Sequence, residues 1–101
     1  MKNSLIVNIA DMKVSANKED IIVTYSLGSC VAIVLYEPVK KLGGMIHIML
    51  PDSTIERDSK INPYKYVDTG VPVLFKTLLQ MGATRSNIIT KVIGGSSVMD
   101  N

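Results

Sequence analysis

The chain has 101 residues, of which 47% are hydrophobic and 20% are charged, and its net charge is +2. These values are typical of one globular domain, and so small a basic excess argues against nucleic-acid binding. No apolar run approaches the roughly 18 residues of a membrane span, and a single cysteine excludes an internal disulfide. The apolar stretch near residues 5–7 is short, so we expect no signal peptide. We therefore expect a single domain over residues 1–101, a cytoplasmic location, no nucleic-acid partner and no direct membrane insertion.

The first half of the chain has the pattern of successive β-strands. Four segments have strand composition: one begins over residues 6–9 and could continue toward Val14, and the others are residues 21–25, 30–36 and 45–50. Turns rich in polar residues, glycine or proline separate them, with Gly43 and Gly44 as a candidate bulge. The third and fourth segments lack polar alternation, which predicts a sheet that is covered on both faces.

The second half predicts one helix and one further strand. Apolar residues recur at three- and four-residue spacing over residues 64–81, which indicates an amphipathic helix ended by Gly82. Pro72 lies inside this segment, so we expect a kink there or a later start, near Thr69. A strand over residues 87–93 then gives an α/β domain with a mixed sheet. Since one helix covers only one face, either another chain supplies the second layer or the sequence is a fragment.

The only cysteine, Cys30, and the only histidine, His47, lie on two segments that we expect to form a hairpin. A two-residue loop between them would place Cys30 directly opposite His47. A loop longer by two residues, if the glycine pair extends it, would place His47 opposite Ala32, with Cys30 as its diagonal neighbour on the same face. Thr24 lies six residues before Cys30, at the end of the preceding strand, from which its hydroxyl could reach the imidazole.

A thiol beside an imidazole on one face suits nucleophilic catalysis. An imidazolium lowers the pKa of a neighbouring thiol, the thiolate attacks a carbonyl, and the imidazole protonates the leaving group. Thr24 would orient the ring, and backbone N–H groups at Gly28 and Ser29 would hold the oxyanion. The arrangement predicts hydrolysis of an amide or ester through a thioester.

Simpler interpretations stay open at this point. Cys30 and His47 also fit the role of packed core side chains. A metal site would need two more ligands, and Asp52 and Asp68 are only loosely placed for it, so no metal is expected. The turn at Gly94, Gly95 and Ser96 fits either an anion-binding nest or a plain loop that ends a strand.

Four segments of the chain resemble the CheD family of bacterial and archaeal chemoreceptor glutamine deamidases. The first runs from Thr24 to Pro38 and contains Leu-Gly-Ser-Cys; the others are residues 43–52, with His47, residues 65–72, and the glycine loop of residues 93–99. Together they extend over essentially the whole chain.

The resemblance implies a three-layer α/β sandwich with a mixed, largely antiparallel sheet, and a deamidase without a cofactor. By position, Cys30 is the nucleophile, His47 the base and acid, and Thr24 the orienting residue, while Gly94, Gly95 and Ser96 are candidates for a substrate loop. The implied substrates are glutamine side chains of methyl-accepting chemotaxis receptors, and the implied regulatory partner is a CheC-like phosphatase. The alternative is a non-catalytic module that binds receptors or the phosphatase.

Proteins of the CheD family are typically about half as long again as this chain. The resemblance therefore implies that residues 1–101 correspond to the N-terminal two-thirds of the usual domain, before a further helix and further strands.

Overall fold

The computed structural model describes residues 3–25, 28, 30–49 and 62–94. The elements are β1 (Asn3–Ile6), β2 (Asp11–Ser15), β3 (Asp20–Val23), β4 (Val31–Glu37), β5 (Leu42–Ile48), α1 (Val67–Gln80) and β6 (Ile89–Gly94), with short 3-10 turns at Pro63–Lys65 and Arg85–Asn87. The predicted α/β class is confirmed in this coarse form, in which strands dominate and one helix is present in the described part of the chain.

The strands form two sheets. The main sheet has the order β2-β5-β4-β6 and is antiparallel at every pairing, whereas β1 and β3 pair in parallel as a separate small sheet. The hairpin β4–β5 lies at the centre of the main sheet and carries its most buried residues. Parallel and antiparallel pairings are thus both present, but not within one sheet as the expected mixed sheet would require.

The expectation of a strand that begins over residues 6–9 is wrong, and so is its extension toward Val14, because β1 ends at Ile6 and the chain turns before β2. Ala10 has a φ of 57°, in the left-handed region, which costs a residue other than glycine about 1–2 kcal/mol. The Asp11 carboxylate accepts hydrogen bonds from the Asn8 amide at 3.1 Å and from the Met12 amide at 2.8 Å. The turn sends β1 into the small sheet and β2 to the edge of the main sheet.

The hairpin β4–β5 adopts the longer of the two expected loops. Glu37 pairs with Leu42, so the loop comprises the four residues between them, and Lys41 closes it with a φ of 57°. Gly43 and Gly44 lie inside β5 and do not form a bulge. Glycine is required at position 44, where a Cβ would lie 2.6 Å from Leu74 Cδ1 of the helix.

A buried carboxylate ties this loop to the end of the helix. Glu37 is fully buried, and its oxygens accept hydrogen bonds from the amides of Val39, Lys40 and Thr84. Burial alone would raise the pKa of Glu37. The hydrogen bonds from the three backbone amides and the charge of Lys40 outweigh the effect of burial, so the pKa is lowered from 4.5. Lys40 Nζ also donates to the carbonyl of Gly82.

The helix begins at Val67 and passes through Pro72, so a start near Thr69 is not observed. Pro72 is exposed and is the sixth residue of the helix. Because proline has no backbone N–H, one helical hydrogen bond is missing there, close to the first turn, whose N–H groups have no helical partner in any helix. Gly82 ends the helix as expected. Its φ is 110°, its amide donates to Leu79 O at 3.0 Å, and the Ala83 amide donates to Leu78 O at 2.9 Å, which is a Schellman cap.

The core lies between α1 and one face of the main sheet. It is formed by aliphatic side chains of the hairpin and the helix, among them Ile33, Leu35, Ile46, Ile48, Leu74 and Leu78. The opposite face is partly covered by the small sheet, where Ile22 of β3 lines a cavity of about 360 Å³ together with Val34, Tyr36 and Met45 of the hairpin. The second layer is thus supplied in part by this chain itself.

No helix in the described part of the chain combines the length and the apolar character needed to cross a membrane.

Candidate active site

Two sheets meet where Thr24 contacts His47. Thr24 follows β3 of the small sheet directly, and His47 lies on β5 of the main sheet, on the face away from the helix. Thr24 Oγ1 lies 2.9 Å from His47 Nδ1 and 2.7 Å from the carbonyl oxygen of Val7. The predicted contact between the threonine hydroxyl and the imidazole is present.

The two contacts of Thr24 fix which ring nitrogen carries the proton. A carbonyl oxygen only accepts hydrogen bonds, so the single hydroxyl proton of Thr24 is donated to Val7. The hydroxyl oxygen then accepts from Nδ1–H of His47. The neutral ring therefore carries its proton on Nδ1 and presents an unprotonated Nε2.

The second ring nitrogen of His47, Nε2, is buried and makes no hydrogen bond to a described residue. His47 is 1% exposed, and Nε2 has no hydrogen-bond partner among the residues that the structure describes. Burial lowers the pKa of His47 below 6.5, because a charged ring would lose its hydration. A neutral imidazole with a free Nε2 lone pair is the form that accepts a proton from a nucleophile.

Cys30 directly precedes the strand that pairs with the strand of His47. It precedes β4 by one residue, and Ala32, two residues further on, is the cross-strand partner of His47. Side chains two residues apart along a strand share a face, so an extension of the β4 alternation by one residue would make Cys30 the diagonal neighbour expected for the longer loop. The thiol is free and half-buried, and it makes no hydrogen bond to Nε2.

Two of the glycines predicted to contribute to the site, Gly28 and Gly94, are among the described residues, and both lie near Cys30 at the start of β4. Gly28 is exposed and has a φ of 49°, a conformation that favours glycine. Gly94 is the last residue of β6 and pairs with Val31, the residue directly after Cys30. Ser29, Gly95 and Ser96 lie outside the described residues.

Sequence reasoning missed the residues that support Thr24 and His47 from β1 and β2. The Val7 carbonyl accepts from Thr24, and Asp11 is the cross-strand partner of His47 in the β2–β5 pairing. The pair Asn8 and Asp11, both frequent in turns, was the available signal for a break between the strands.

Among the described residues, no group of three histidine, cysteine, aspartate or glutamate side chains is arranged to hold a metal ion. Asp68 is exposed on α1, and Asp52 lies outside the described residues.

Comparisons with known proteins connect this geometry to a family. The family model described as CheD chemotactic sensory transduction matches residues 49–101, slightly more than half of the chain. A protein of Syntrophus aciditrophicus, named probable chemoreceptor glutamine deamidase CheD 1, is 48% identical over 98 residues, which are 96% of this chain and 61% of that protein.

Two further relatives carry the name probable chemoreceptor glutamine deamidase CheD. The protein of Solibacter usitatus is 43% identical over 95% of this chain and 57% of its own length. The protein of Lachnoclostridium phytofermentans is 49% identical over 91% of this chain and 56% of its own length. The chain thus spans 56–61% of the length of these three relatives. The family model match begins after His47, whereas the matches to these relatives extend over most of the chain. On both comparisons, the chain belongs to the CheD family.

Proposed function

We propose that the chain carries the catalytic site of a protein-glutamine glutaminase, which hydrolyses glutamine side-chain amides of methyl-accepting chemotaxis receptors to glutamates. The observation that carries the proposal is the Thr24–His47 hydrogen bond, which leaves an unprotonated Nε2 on the face of the sheet where Cys30 lies. The names of the relatives supply the substrate class.

In the first half of the proposed reaction, Cys30 Sγ attacks the side-chain carbonyl carbon of glutamine while His47 Nε2 takes the thiol proton. The oxyanion that forms is held by backbone N–H groups of the turn that contains Gly28 and Ser29. The C–N bond then breaks, Nε2 returns its proton to the leaving nitrogen, and ammonia departs. The product of this half is a glutamyl thioester on Cys30.

In the second half, His47 Nε2 takes a proton from water, and the resulting hydroxide attacks the thioester carbonyl. The C–S bond breaks, Nε2 returns the proton to the sulfur, and glutamate leaves. The net change is one amide and one water converted into one acid and one ammonia. Thr24 takes no proton in either half and serves only to hold the ring.

The wider setting is also a proposal. We propose that residues 1–101 form part of a single three-layer α/β domain, with α1 and the small sheet on opposite faces of the main sheet. Residues 94–96 are proposed to lie beside the substrate, since Gly94 pairs next to Cys30. The proposed location is the cytoplasm, where a free thiol stays reduced. The proposed regulatory partner is a CheC-like phosphatase, which rests on the family resemblance alone.

The test is conversion of glutamine to glutamate in a receptor cytoplasmic fragment, followed by mass spectrometry. Cys30→Ala is expected to abolish the mass change, while Ser86→Ala, an exposed residue remote in sequence from the site, leaves it unaltered. Circular dichroism of both variants checks that each is folded. Undiminished conversion by Cys30→Ala would overturn the assignment, and receptor binding without any conversion by the unmodified chain would favour the non-catalytic module.

A further inference from the structure

The backbone opposite His47 carries an extra residue. Asp11 is the register partner of His47 in the β2–β5 pairing, and the Ala10 amide also donates to the His47 carbonyl at 2.8 Å. Two successive residues, Ala10 of the turn and Asp11 at the start of β2, therefore face one residue of β5, with Ala10 in the left-handed conformation. This arrangement at the end of the strand resembles a β-bulge, a feature that re-aims side chains and is frequent next to active sites, and residues 10 and 11 are called the bulge below.

Side chains from two directions hold this bulge. The Asp11 carboxylate accepts from the Asn8 amide at 3.1 Å and pairs with Lys13 Nζ at 2.8 Å. From the segment before the helix, Asn62 Nδ2 donates to the Ala10 carbonyl at 3.3 Å. Because Ala10 lacks the conformational freedom of glycine, its left-handed backbone depends on such contacts.

The same turn sets the position of the Val7 carbonyl. Val7 is buried, and its amide donates to Val23 of β3 at 2.8 Å, while its carbonyl accepts from Thr24 at 2.7 Å. This part of the chain is thus linked to His47 in two ways. The Ala10 amide donates to the His47 carbonyl, and the Val7 carbonyl accepts from Thr24, which contacts the ring.

We propose that Asp11 is a positioning residue for His47, a proposal that rests on the deamidase function above. By closing the turn at Asn8, its carboxylate keeps the Val7 carbonyl aimed at Thr24, and Thr24 in turn keeps the ring proton on Nδ1. The effect is exerted through geometry, because Lys13 already compensates the Asp11 charge.

His47 is the only histidine, so its ring nitrogens give isolated signals in ¹⁵N nuclear magnetic resonance. In the full chain, at a pH where the ring is neutral, we expect the Nδ1–H form to dominate. Asp11→Ala should shift the population toward the Nε2–H form and lower kcat about tenfold or more at an unchanged KM. Asp11→Asn keeps an oxygen that can accept from the Asn8 amide, so it should restore both the tautomer and most of kcat.

The matched control is Glu19→Ala. Glu19 also carries a carboxylate, but it is exposed in the turn between β2 and β3, at the far end of β2 from His47. The substitution should leave the tautomer and kcat unaltered. If Asp11→Ala fails to fold, Asp11→Glu keeps the charge while displacing the carboxylate, and a smaller shift in the same direction is expected.

An unaltered tautomer in a folded Asp11→Ala or Asp11→Glu protein would overturn the proposal, as would an equal shift in Glu19→Ala. The tautomer is measured without substrate. A failed deamidase assignment, detected by an active Cys30→Ala, is therefore distinguishable from a failed positioning role.

Discussion

Ala32 and His47 are cross-strand partners at the centre of the main sheet, and if the alternation of β4 extends back by one residue, Cys30 lies diagonally from the imidazole. A diagonal pair is farther apart than a direct pair, at roughly 7–8 Å. This separation is consistent with the absence of a hydrogen bond between the thiol and Nε2. If the proposed roles of Cys30 and His47 are correct, the proton would be transferred between them only once substrate has brought the two groups into contact.

Removal of the Thr24 hydroxyl should impair the chemical step. In Thr24→Val the ring loses its Nδ1 partner and the Val7 carbonyl loses its donor, so we expect kcat to fall about 10- to 100-fold. Thr24→Ser keeps the hydroxyl and should retain most of the activity. Steady-state kinetics on a receptor fragment give the comparison. Equal activity of the valine and serine variants would contradict the orienting role.

The pH below which activity declines should be lower than the ordinary pKa of histidine. Burial lowers the pKa of His47 from 6.5, and only the neutral ring accepts a proton. Activity should therefore persist below pH 6.5 and decline as the pH falls through the lowered value. A decline that begins above that value would show that the ring is charged more easily than its burial implies.

The same shift makes folding stability depend on pH. Below pH 6.5 the unfolded chain binds a proton at His47 more readily than the folded chain does, so the free energy of unfolding falls as the pH falls. His47→Gln removes this titration, and its stability should change less with pH in the same window. Urea unfolding at several pH values measures the difference; identical pH profiles of the two proteins would argue against a depressed pKa.

The rate of Cys30 alkylation should depend on His47. Iodoacetamide reacts with the deprotonated sulfur, and a neutral imidazole on the same face can take the thiol proton. We expect His47→Ala to slow the labelling of the only cysteine, while Glu19→Ala does not. Labelling followed by intact mass measures both rates. Equal rates in the two variants would indicate that the thiol and the imidazole do not communicate.

Two adjacent glycines of β5 should differ sharply in their tolerance of alanine. At Gly44 a Cβ would lie 2.6 Å from Leu74 Cδ1 and 3.0 Å from Val14 Cγ1, whereas at Gly43 the nearest atom is Tyr36 Cδ1 at 3.6 Å. Leu74 is fully buried, so Gly44→Ala should lower the free energy of unfolding by about 1–3 kcal/mol. Gly43→Ala should change it little. Urea unfolding tests the pair, and similar losses at both positions would contradict the packing of α1 on β5.

Much of the fold and of the site was predictable from local patterns. The hairpin strands, the helix and its end at Gly82 followed from periodicity and cap chemistry, and the contact between Thr24 and His47 followed from the order of the strands. The loop length was not predictable, because Lys41 adopts a left-handed conformation that its identity does not signal. Lys41 ends the four-residue loop, and with this loop length His47 pairs with Ala32 and not with Cys30.

The division into two sheets was also beyond local reasoning. β1 pairs with β3 across residues that include the whole of β2, and no periodicity reveals such a non-local partner. The break before β2 depends on Ala10, which has no sequence signature for a left-handed turn. The support of Thr24 by Val7 was missed for the same reason, since a main-chain carbonyl is invisible in a sequence.

The hydrogen bond from His47 to Thr24 joins residues that belong to different sheets. The orientation of the imidazole ring therefore depends on the small sheet remaining packed against the main sheet. If the small sheet detaches as a unit of lower local stability, the ring loses its orientation while the hairpin and helix remain folded. On warming, we expect deamidation to cease at a lower temperature than that at which the helical signal disappears.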